Sequence, residues 1–309
     1  MDVAVSYCIV NTEQRELLLR CLDAVARDRA ALTVTTEVLV LDNASRDGSA
    51  GAARAHPTVD AVIRLDQRAG KGANDTRLLR RARGRTCLLL NEDAELEPGA
   101  TAALMAALAE HPRAAAAGAE LVGADGVRRP SAWRFPTPAA ALLTALGLHR
   151  RFVVQSRGRR TRSVDWSQSA ALLVRRDAAE AIGWFDPAFF VHSDEVDFCK
   201  RLRDAGWSVR FAPGAHAVHH EAAGPPGERR IVELARNRDR YVRKHHGPAA
   251  ARTVRWLTAW TYAVRSVLAL AAPGHDPRRY RRHAAASLFP GRGEGLAEAA
   301  ADFNRGPRL

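Results

Sequence analysis

Three leucines, Leu88 to Leu90, form a short apolar run that ends in Asn91-Glu92-Asp93. Such a run predicts a buried strand with two acids emerging at its end. Carboxylates are hard oxygen ligands that suit Mg²⁺ or Mn²⁺, and a metal held there could bridge to substrate phosphates. It would neutralise the charge that builds on a diphosphate leaving group. The alternative is a loop that only carries surface acids.

A second group of acids, Asp194, Glu195 and Asp197, stands near the predicted start of a helix. Acids at that place complement the helix dipole, so helix capping is one interpretation. The other is a general base that takes a proton from an acceptor hydroxyl. A neutral imidazole could complete a nearby metal site, although histidines in such a group more often have a structural role. Three histidines follow the acids, namely His216, His219 and His220.

A third polar group, Asp42-Asn43-Ala44-Ser45, directly follows another apolar run. A carboxylate at a strand end can accept hydrogen bonds from a nucleobase or ribose, but these are also ordinary residues of a capped turn. Gly70-Lys71-Gly72 does not continue into a Gly-x-Gly-x-x-Gly fingerprint, and the sequence has no Walker A motif and no Gly-x-Ser-x-Gly elbow. These absences disfavour NAD, ATP and serine-hydrolase chemistry.

Strand and helix patterns alternate through the first third of the chain and would position these groups. The predicted strands are Ala4–Val10, Glu37–Leu41, Ala61–Leu65 and Thr86–Leu90, and the predicted helices are Gln14–Arg27, Lys71–Arg83 and Gly99–Glu110. This alternation implies an α/β fold with a parallel sheet and helices on both faces. Ligands gather at the carboxyl ends of such strands, where Asn11, Asp42 and Asn91 all fall.

The second half of the chain has a different pattern. Arg150–Arg162 is rich in arginine and poor in apolar residues, so we expect a mobile loop. Apolar runs predict strands over Val164–Val174 and Val209–Ala212, and the second group of acids opens a predicted helix over Asp194–Ala205. From Glu228 onward the chain is predicted to be helical and basic.

The 309 residues carry a formal net charge of +13, which favours phosphates, anionic lipid or nucleic acid as partners. No nucleic-acid recognition motif is evident, so we do not expect nucleic acid. The four cysteines form no CxxC pair and fit buried thiols in a reducing compartment. No signal peptide or apolar run of about 18 residues is evident, so we expect a cytoplasmic protein.

The basic C-terminal part contains one amphipathic segment, Arg252–Ala272. Apolar residues recur there at roughly helical spacing, namely Val254, Trp256, Leu257, Trp260, Val264, Val267 and Leu268. Tryptophan and arginine beside an apolar face suit a lipid headgroup layer, which would place the protein peripherally at the inner face of the cell membrane. A packing helix or the contact of a homo-oligomer is the open alternative.

Taken together, the order and spacing of these motifs resemble family 2 of the inverting glycosyltransferases, especially its bacterial rhamnosyltransferase-like branch. The resemblance runs from about Val3 to about Gly224. The stretches that carry it are Val5–Asn11, Val40–Ser49, Leu88–Gly99, Val164–Trp166, Ala171–Arg176, Gly183–Phe190, Asp194–Trp207 and Ala217–His220.

The resemblance implies an A-type glycosyltransferase fold, with a catalytic domain over residues 1–224 and a basic helical extension over 225–309. The implied activity is transfer of a sugar, with inversion, from a nucleotide-diphosphate donor to a hydroxyl of a glycan or lipid-linked saccharide. A dTDP- or UDP-sugar is the expected donor, with rhamnose a candidate, and Mg²⁺ or Mn²⁺ the expected metal.

The resemblance also implies roles for single residues. Asp93 and His219 would bind the metal, Asp42 the nucleobase, and Glu195 or its neighbour Asp194 would be the general base. The residues expected to bind the nucleotide sugar are Asn11, Asp42, Asn43, Ser45, Lys71, Asn74, Asn91 and Trp166.

The chain departs from the family pattern at several of these positions. The usual Glu-Asp pair is inverted to Asp194-Glu195, and Ser169 replaces a usual glycine. These changes leave open a nucleotide-sugar-binding protein or membrane scaffold without turnover. A nucleotidyltransferase is the other alternative, but it would have a phosphate loop rich in Gly, Arg and Lys where this chain has Asn11-Thr12-Glu13-Gln14.

Overall fold

The computed structural model describes residues 2–220 and 227–306. The predicted strands and helices of the first third are confirmed, with ends that differ by no more than two residues. The strands are β1 Val5–Asn11, β2 Thr36–Asp42, β3 Ala61–Arg64, β4 Thr86–Asn91, β5 Ala94–Leu96, β6 Ala114–Val122, β7 Arg128–Arg129, β8 Ala132–Trp133, β9 Arg162–Val164, β10 Trp166–Ser167, β11 Ala171–Arg175 and β12 Ser208–His219.

Helices separate most of these strands along the chain. They are α1 Arg15–Arg29, α2 Ser49–Ala55, α3 Lys71–Arg81, α4 Ala100–Ala109, α5 Pro138–Ala145, α6 His149–Phe152, α7 Arg176–Ala181, α8 Asp194–Asp204, α9 Glu228–Leu268, α10 Pro277–Leu288 and α11 Leu296–Arg305.

The central sheet has the strand order β3-β2-β1-β4-β11-β6-β12-β5. Strands β1 to β4 run parallel to one another, so their carboxyl ends meet at one edge, with Asn11 opposite Asp42 and Val10 opposite Asn91. Strand β11 is antiparallel to both neighbours, β4 and β6, while β12 is parallel to β6. The sheet is therefore mixed, with its parallel half on the side of the candidate donor-binding residues.

Two apolar cores cover the two faces of this sheet because successive side chains of a strand point to opposite sides. In β1, Cys8 and Val10 face one core, which includes helix α3 residues, whereas Tyr7 and Ile9 face the other, which includes helix α1 residues. The four cysteines are all buried free thiols, as the absence of a CxxC pair predicts.

The middle of the chain agrees only in part with the expectation. The loop expected over Arg150–Arg162 begins within α6 and ends at β9, which pairs antiparallel with β12, while residues 155–161 form neither helix nor strand. That this loop is mobile stays a prediction. The single strand expected over Val164–Val174 is wrong. Residues of β10 leave the main sheet to pair with β8, and the chain returns to it only at β11.

The C-terminal part is helical, as expected. Helix α9 is broken at Gly247, whose φ of 84° lies in the left-handed region and directly precedes Pro248. The helix packs with α5 and α10. The domain boundary expected between residues 224 and 225 lies outside the described residues. Among the residues described here, no helix is long and apolar enough to cross a membrane.

Candidate active site

The carboxyl ends of β1 and β2 are joined by a buried cluster of hydrogen bonds. Asn11 Nδ2 donates to Asp42 Oδ1 at 3.1 Å and to Ser45 Oγ at 3.2 Å. The Ser45 amide donates to Asp42 Oδ2 at 3.1 Å. All three side chains are buried. None of them lines the neighbouring cavity at this edge of the sheet, which is described next. They fix the shape of its floor, and a direct contact between Asp42 and a nucleobase stays a prediction.

Asn43 holds one wall of that cavity in place. Its Nδ2 donates to Ala69 O at 3.1 Å, and its Oδ1 accepts from the Ala69 amide at 2.9 Å. The cavity has a volume of about 330 Å³. Four of the expected nucleotide-sugar residues line it, namely Asn43, Lys71, Asn74 and Asn91. Val10, Thr12, Arg68, Ala69, Glu92, Phe190, Val191, Leu296, Ala299 and Ala300 complete its lining.

Lys71 links this cavity to the second group of acids. Its Nζ lies 2.8 Å from Asp75 Oδ2 and donates to Ser169 Oγ at 3.0 Å. Burial lowers the pKa of the Lys71 ammonium, but Asp75, Asp194 and Glu195 together raise it above its ordinary value. The side chain is therefore a fixed positive charge between the cavity and the start of α8.

Asp93 and His219 meet at the edge of the sheet. Asp93 lies between β4 and β5, and β12 brings His219 alongside β5, where it pairs with Ala94. His219 Nε2 lies 3.2 Å from Asp93 Oδ1. Burial raises the pKa of the Asp93 carboxyl, but the hydrogen bond and charge of His219 outweigh burial and lower that pKa below its ordinary value.

The chemistry of this pair fits a divalent metal. Beside it, Asn91 Oδ1 is buried and has no hydrogen-bond partner within the described part of the chain, while Asn91 Nδ2 lies 3.4 Å from His219 Nε2. No group of three or more His, Cys, Asp or Glu side chains in residues 2–220 and 227–306 could hold a metal alone. Magnesium commonly binds through one or two carboxylates plus substrate phosphates, which suits a two-residue protein site.

Glu92 lies between Asn91 and Asp93 in the sequence, but its side chain contacts a different part of the chain. Its Oε1 accepts from the Thr12 amide at 3.3 Å, which ties the β4 end to the β1 end. Burial, together with the nearby Asp93 carboxylate, raises the pKa of Glu92 to about 7. Glu92 therefore lines the cavity with a side chain that is fixed by the loop after β1.

Asp194 and Glu195 open helix α8 on the other side of Lys71. Asp194 is almost fully buried, and burial together with the adjoining Glu195 carboxyl raises its pKa well above the ordinary value. Glu195 is only partly buried. Within the described residues, Asp194 Oδ2 and Glu195 Oε2 have no hydrogen-bond partner. The more accessible member of this inverted pair is therefore Glu195.

The residues just before these acids have an uncommon backbone conformation. His192 and Ser193 have φ angles of 66° and 63°. These values lie in the left-handed region of backbone conformation, which residues other than glycine rarely adopt. Two such residues in succession cost free energy and recur at functional sites. This turn presents Asp194 and Glu195 toward Lys71.

Asp197, the third acid of the group, has a structural role. It is fully buried and lies 2.7 Å from Arg201 Nε, 2.6 Å from Lys244 Nζ and 2.7 Å from His245 Nε2. These contacts join α8 to α9. Of the three histidines, only His219 faces Asp93, since His216 lies nearest Glu120 and His220 lies 2.6 Å from Glu95.

Trp166 does not line the cavity that holds the other expected nucleotide-sugar residues. Its ring stacks on Trp133 with centroids 4.6 Å apart, and its Nε1 donates to Arg134 O at 3.1 Å. Both tryptophans line a separate cavity of about 220 Å³ that is closed on its other side by α9 residues such as Thr258 and Tyr262. This position follows from the pairing of β10 with β8, which the sequence pattern did not reveal.

The sequence analysis also missed a helix, α11, that lines the cavity of about 330 Å³. Leu296, Ala299 and Ala300 of α11 line it from the side opposite β1 and β4. Nothing in the short, alanine-rich segment of α11 signals a contact with residues more than 200 positions earlier.

Comparison with known proteins places the chain among sugar-transferring enzymes. The family described as "Glycosyltransferase like family 2" matches residues 3–263. The N-acetylglucosaminyl-diphospho-decaprenol L-rhamnosyltransferase of Mycobacterium tuberculosis is 29% identical over 283 residues, covering 81% of this chain and 90% of that protein. Rhamnosyltransferase WbbL of Escherichia coli K12 is 33% identical over 57 residues, which is 18% of this chain and 22% of that protein.

Solved structures of low sequence identity share the fold. GalNAc-T7 with UDP, GalNAc and Mn²⁺ aligns with a TM-score of 0.58 at 14% identity, covering 97% of this chain and 57% of that chain. The mannosyltransferase PcManGT from Pyrobaculum calidifontis with GDP-Man and Mn²⁺ aligns with a TM-score of 0.58 at 17% identity. The alignment covers 93% of this chain and 85% of that chain. These alignments confirm the expected A-type α/β fold, and the chain belongs to glycosyltransferase-like family 2.

Proposed function

We propose that this protein is an inverting glycosyltransferase that uses a dTDP- or UDP-sugar, with rhamnose the leading candidate. The proposed acceptor is a hydroxyl of a lipid-linked saccharide in the synthesis of a cell-envelope polysaccharide. The Mycobacterium tuberculosis relative, whose name specifies rhamnosyl transfer to a lipid diphosphate-linked N-acetylglucosamine, supports both choices.

A single observation carries the proposal. The cavity at the carboxyl ends of β1 and β4 is lined by Asn91, which lies 3.4 Å from His219 of the Asp93–His219 pair, and by Lys71, whose charge interacts with the Asp194–Glu195 pair. A leaving diphosphate needs a cation, and an acceptor hydroxyl needs a base. This chain has candidate groups for both next to residues that line one cavity.

In the proposed reaction, Glu195 accepts the proton of the acceptor hydroxyl. The acceptor oxygen forms a bond to the anomeric carbon from one face of the sugar as the bond to the diphosphate breaks on the other. The anomeric configuration is therefore inverted in the product. The charge of Lys71 and the buried Asp194 carboxyl both interact with this base, and the preference for Glu195 follows from its greater accessibility.

Asp93 and His219 are the residues that would hold a Mg²⁺ or Mn²⁺ ion, with Asn91 beside them. The bound ion would supply charge neutralisation for the departing diphosphate. Arg68 also lies on the cavity wall, where its NH2 donates to Glu13 Oε1 at 2.5 Å, while its Nε is buried without a hydrogen-bond partner among the described residues. A phosphate oxygen would satisfy that donor.

A membrane surface is the proposed location of the acceptor. Trp256 and Trp260 on α9 are 68% and 62% exposed, and Val267 and Leu268 continue the same exposed stripe. Val254 on the opposite side is buried, so the helix packs on the protein with one face and leaves an apolar face outward. Arginines border this face, which suits the interface of an anionic bilayer.

The proposal is tested by a panel of nucleotide sugars, measured for binding and for hydrolysis with and without Mn²⁺. We expect a dTDP- or UDP-sugar to bind and to be hydrolysed slowly only in the presence of the metal. Binding without hydrolysis or transfer would instead favour a nucleotide-sugar-binding protein without turnover, which the inverted acid pair leaves as the second candidate.

A further inference from the structure

Helix α11 lines one side of the cavity of about 330 Å³ at the carboxyl ends of β1 and β4, which we call the donor cavity. Ala299 is partly buried, Ala300 is buried, and both line the cavity together with Leu296. The opposite wall consists of residues from the ends of β1, β2 and β4, which include Asn43 and Asn91. The cavity is thus enclosed between the central sheet and a helix of the C-terminal extension.

The N-terminal turn of α11 is anchored on α9. Glu298 caps the helix through the Gly295 amide at 2.7 Å, and its Oε1 lies 2.6 Å from Arg236 NH1. The Ala297 amide donates to the buried Glu233 at 3.4 Å. These contacts connect the start of α11 to a helix that itself packs on α8 through Asp197.

The last turn of α11 is anchored on the segment between β3 and α3. The Arg68 amide donates to Asn304 Oδ1 at 2.7 Å, and Asn304 Nδ2 donates back to Arg68 O at 3.0 Å. The guanidinium groups of Arg68 and Arg46 lie 3.7 Å and 4.2 Å from the centroid of the Phe303 ring. Cation–π contacts of this kind hold a guanidinium in position.

We propose that α11 is the outer wall of the nucleotide-binding cavity and positions Arg68 for a nucleoside diphosphate. This inference rests on the proposed function. The small side chains of Ala299 and Ala300 leave the space that the ligand occupies, and Phe303 with Asn304 fixes the Arg68 segment. The remaining volume of about 330 Å³ lies within the range of small-molecule sites, so α11 bounds the cavity without filling it.

Two tryptophan substitutions on the same helix separate this role from general packing. Ala299→Trp would project into the cavity, whereas Ala301→Trp lies on the exposed face of α11. We expect Ala299→Trp to raise the dissociation constants of both UDP and dTDP by about tenfold or more, because the indole takes the ligand's space. Ala301→Trp should leave both constants within about twofold of the wild type.

Phe303→Ala tests the role of α11 without adding side-chain volume to the cavity. It takes the place of Ala299→Trp if that variant does not fold. It removes the ring under Arg68, so we expect weaker binding of UDP and dTDP with a thermal unfolding midpoint close to that of the wild type. Hydrogen exchange supplies an independent readout, since nucleoside diphosphate should slow exchange of the α11 amides in the full-length wild type.

The failures of the two proposals are distinguishable. If wild-type protein binds neither UDP nor dTDP, the proposed function is wrong and this inference falls with it. If the wild type binds and folded Ala299→Trp or Phe303→Ala binds equally well, only the role of α11 is overturned. Unchanged exchange of the α11 amides on nucleotide binding would also contradict that role.

Discussion

His219 Nε2 lies 3.2 Å from Asp93 Oδ1, although one residue follows the fourth strand of the sheet and the other ends the twelfth. The pairing of β12 with β5 produces this contact, because it sets His219 opposite Ala94, the residue after Asp93. The His220 amide also donates to Asp93 O at 3.0 Å, which fixes the register. The backbone pairing thus holds the two side chains together.

Asp93→Ala should abolish metal-dependent binding of a nucleoside diphosphate, because it removes the carboxylate of the proposed metal site. Calorimetry with UDP or dTDP and Mn²⁺ measures this, and Asp125→Ala, at an exposed acid distant from the cavity, is the control. His219→Ala should weaken binding in the same direction. Unchanged affinity in Asp93→Ala would rule out the metal assignment.

Glu195→Gln should keep donor binding and lose transfer. Removing a general base lowers the rate by about 10²–10⁴-fold, and the amide preserves the shape of the side chain. Steady-state kinetics and donor affinity are measured for Glu195→Gln and Asp194→Asn in parallel. Should Asp194→Asn lose transfer while Glu195→Gln retains it, the roles within the inverted pair are exchanged.

Asp197→Asn should lower the stability of the fold. The substitution removes a buried charge that Arg201, Lys244 and His245 all contact, and we expect a loss of about 2 kcal/mol. Asp204→Asn on the same helix is the matched control, since its partner Lys200 forms an exposed pair whose loss costs well under about 1 kcal/mol. Denaturant unfolding compares the two, and equal stabilities would refute the structural role of Asp197.

The exposed face of α9 predicts attachment to anionic liposomes. Replacing Trp256 and Trp260 together by alanine should abolish flotation with such liposomes while donor affinity is unchanged, because neither residue lines the donor cavity. Thr253→Ala, at an exposed position of the same helix, is the control. If the wild-type protein ignores anionic liposomes at low salt, this face is instead a contact with another protein or a second copy.

The sequence alone was sufficient to predict the parallel half of the sheet and the residues at the carboxyl ends of its strands. The apolar runs of β1, β2 and β4 are short and continuous, and parallel strands necessarily bring Asn11, Asp42 and Asn91 to one edge. The Asp93 and His219 assignments came from the family resemblance. Their contact depends on β12 pairing with β5, which no local pattern encodes.

Other features were beyond sequence reasoning because they depend on long-range packing. The position of Trp166 follows from the pairing of β10 with β8, two strands of two residues each that carry almost no periodicity. The contact between Arg68 and Asn304 joins residues 236 positions apart. Nothing in the local sequence around Asn304 indicates a partner, and only the fold brings it onto the Arg68 backbone.

The most direct test of the central claim is transfer itself, followed by NMR of the anomeric proton in the product. The purified protein is incubated with dTDP- and UDP-sugars, including dTDP-rhamnose, an N-acetylglucosaminyl-diphospholipid acceptor and Mn²⁺. We predict a glycosylated acceptor whose new linkage has the anomeric configuration opposite to that of the donor, and no product when the metal is chelated. A product with retained configuration, or no transfer from any sugar whose nucleoside diphosphate binds, would contradict the account.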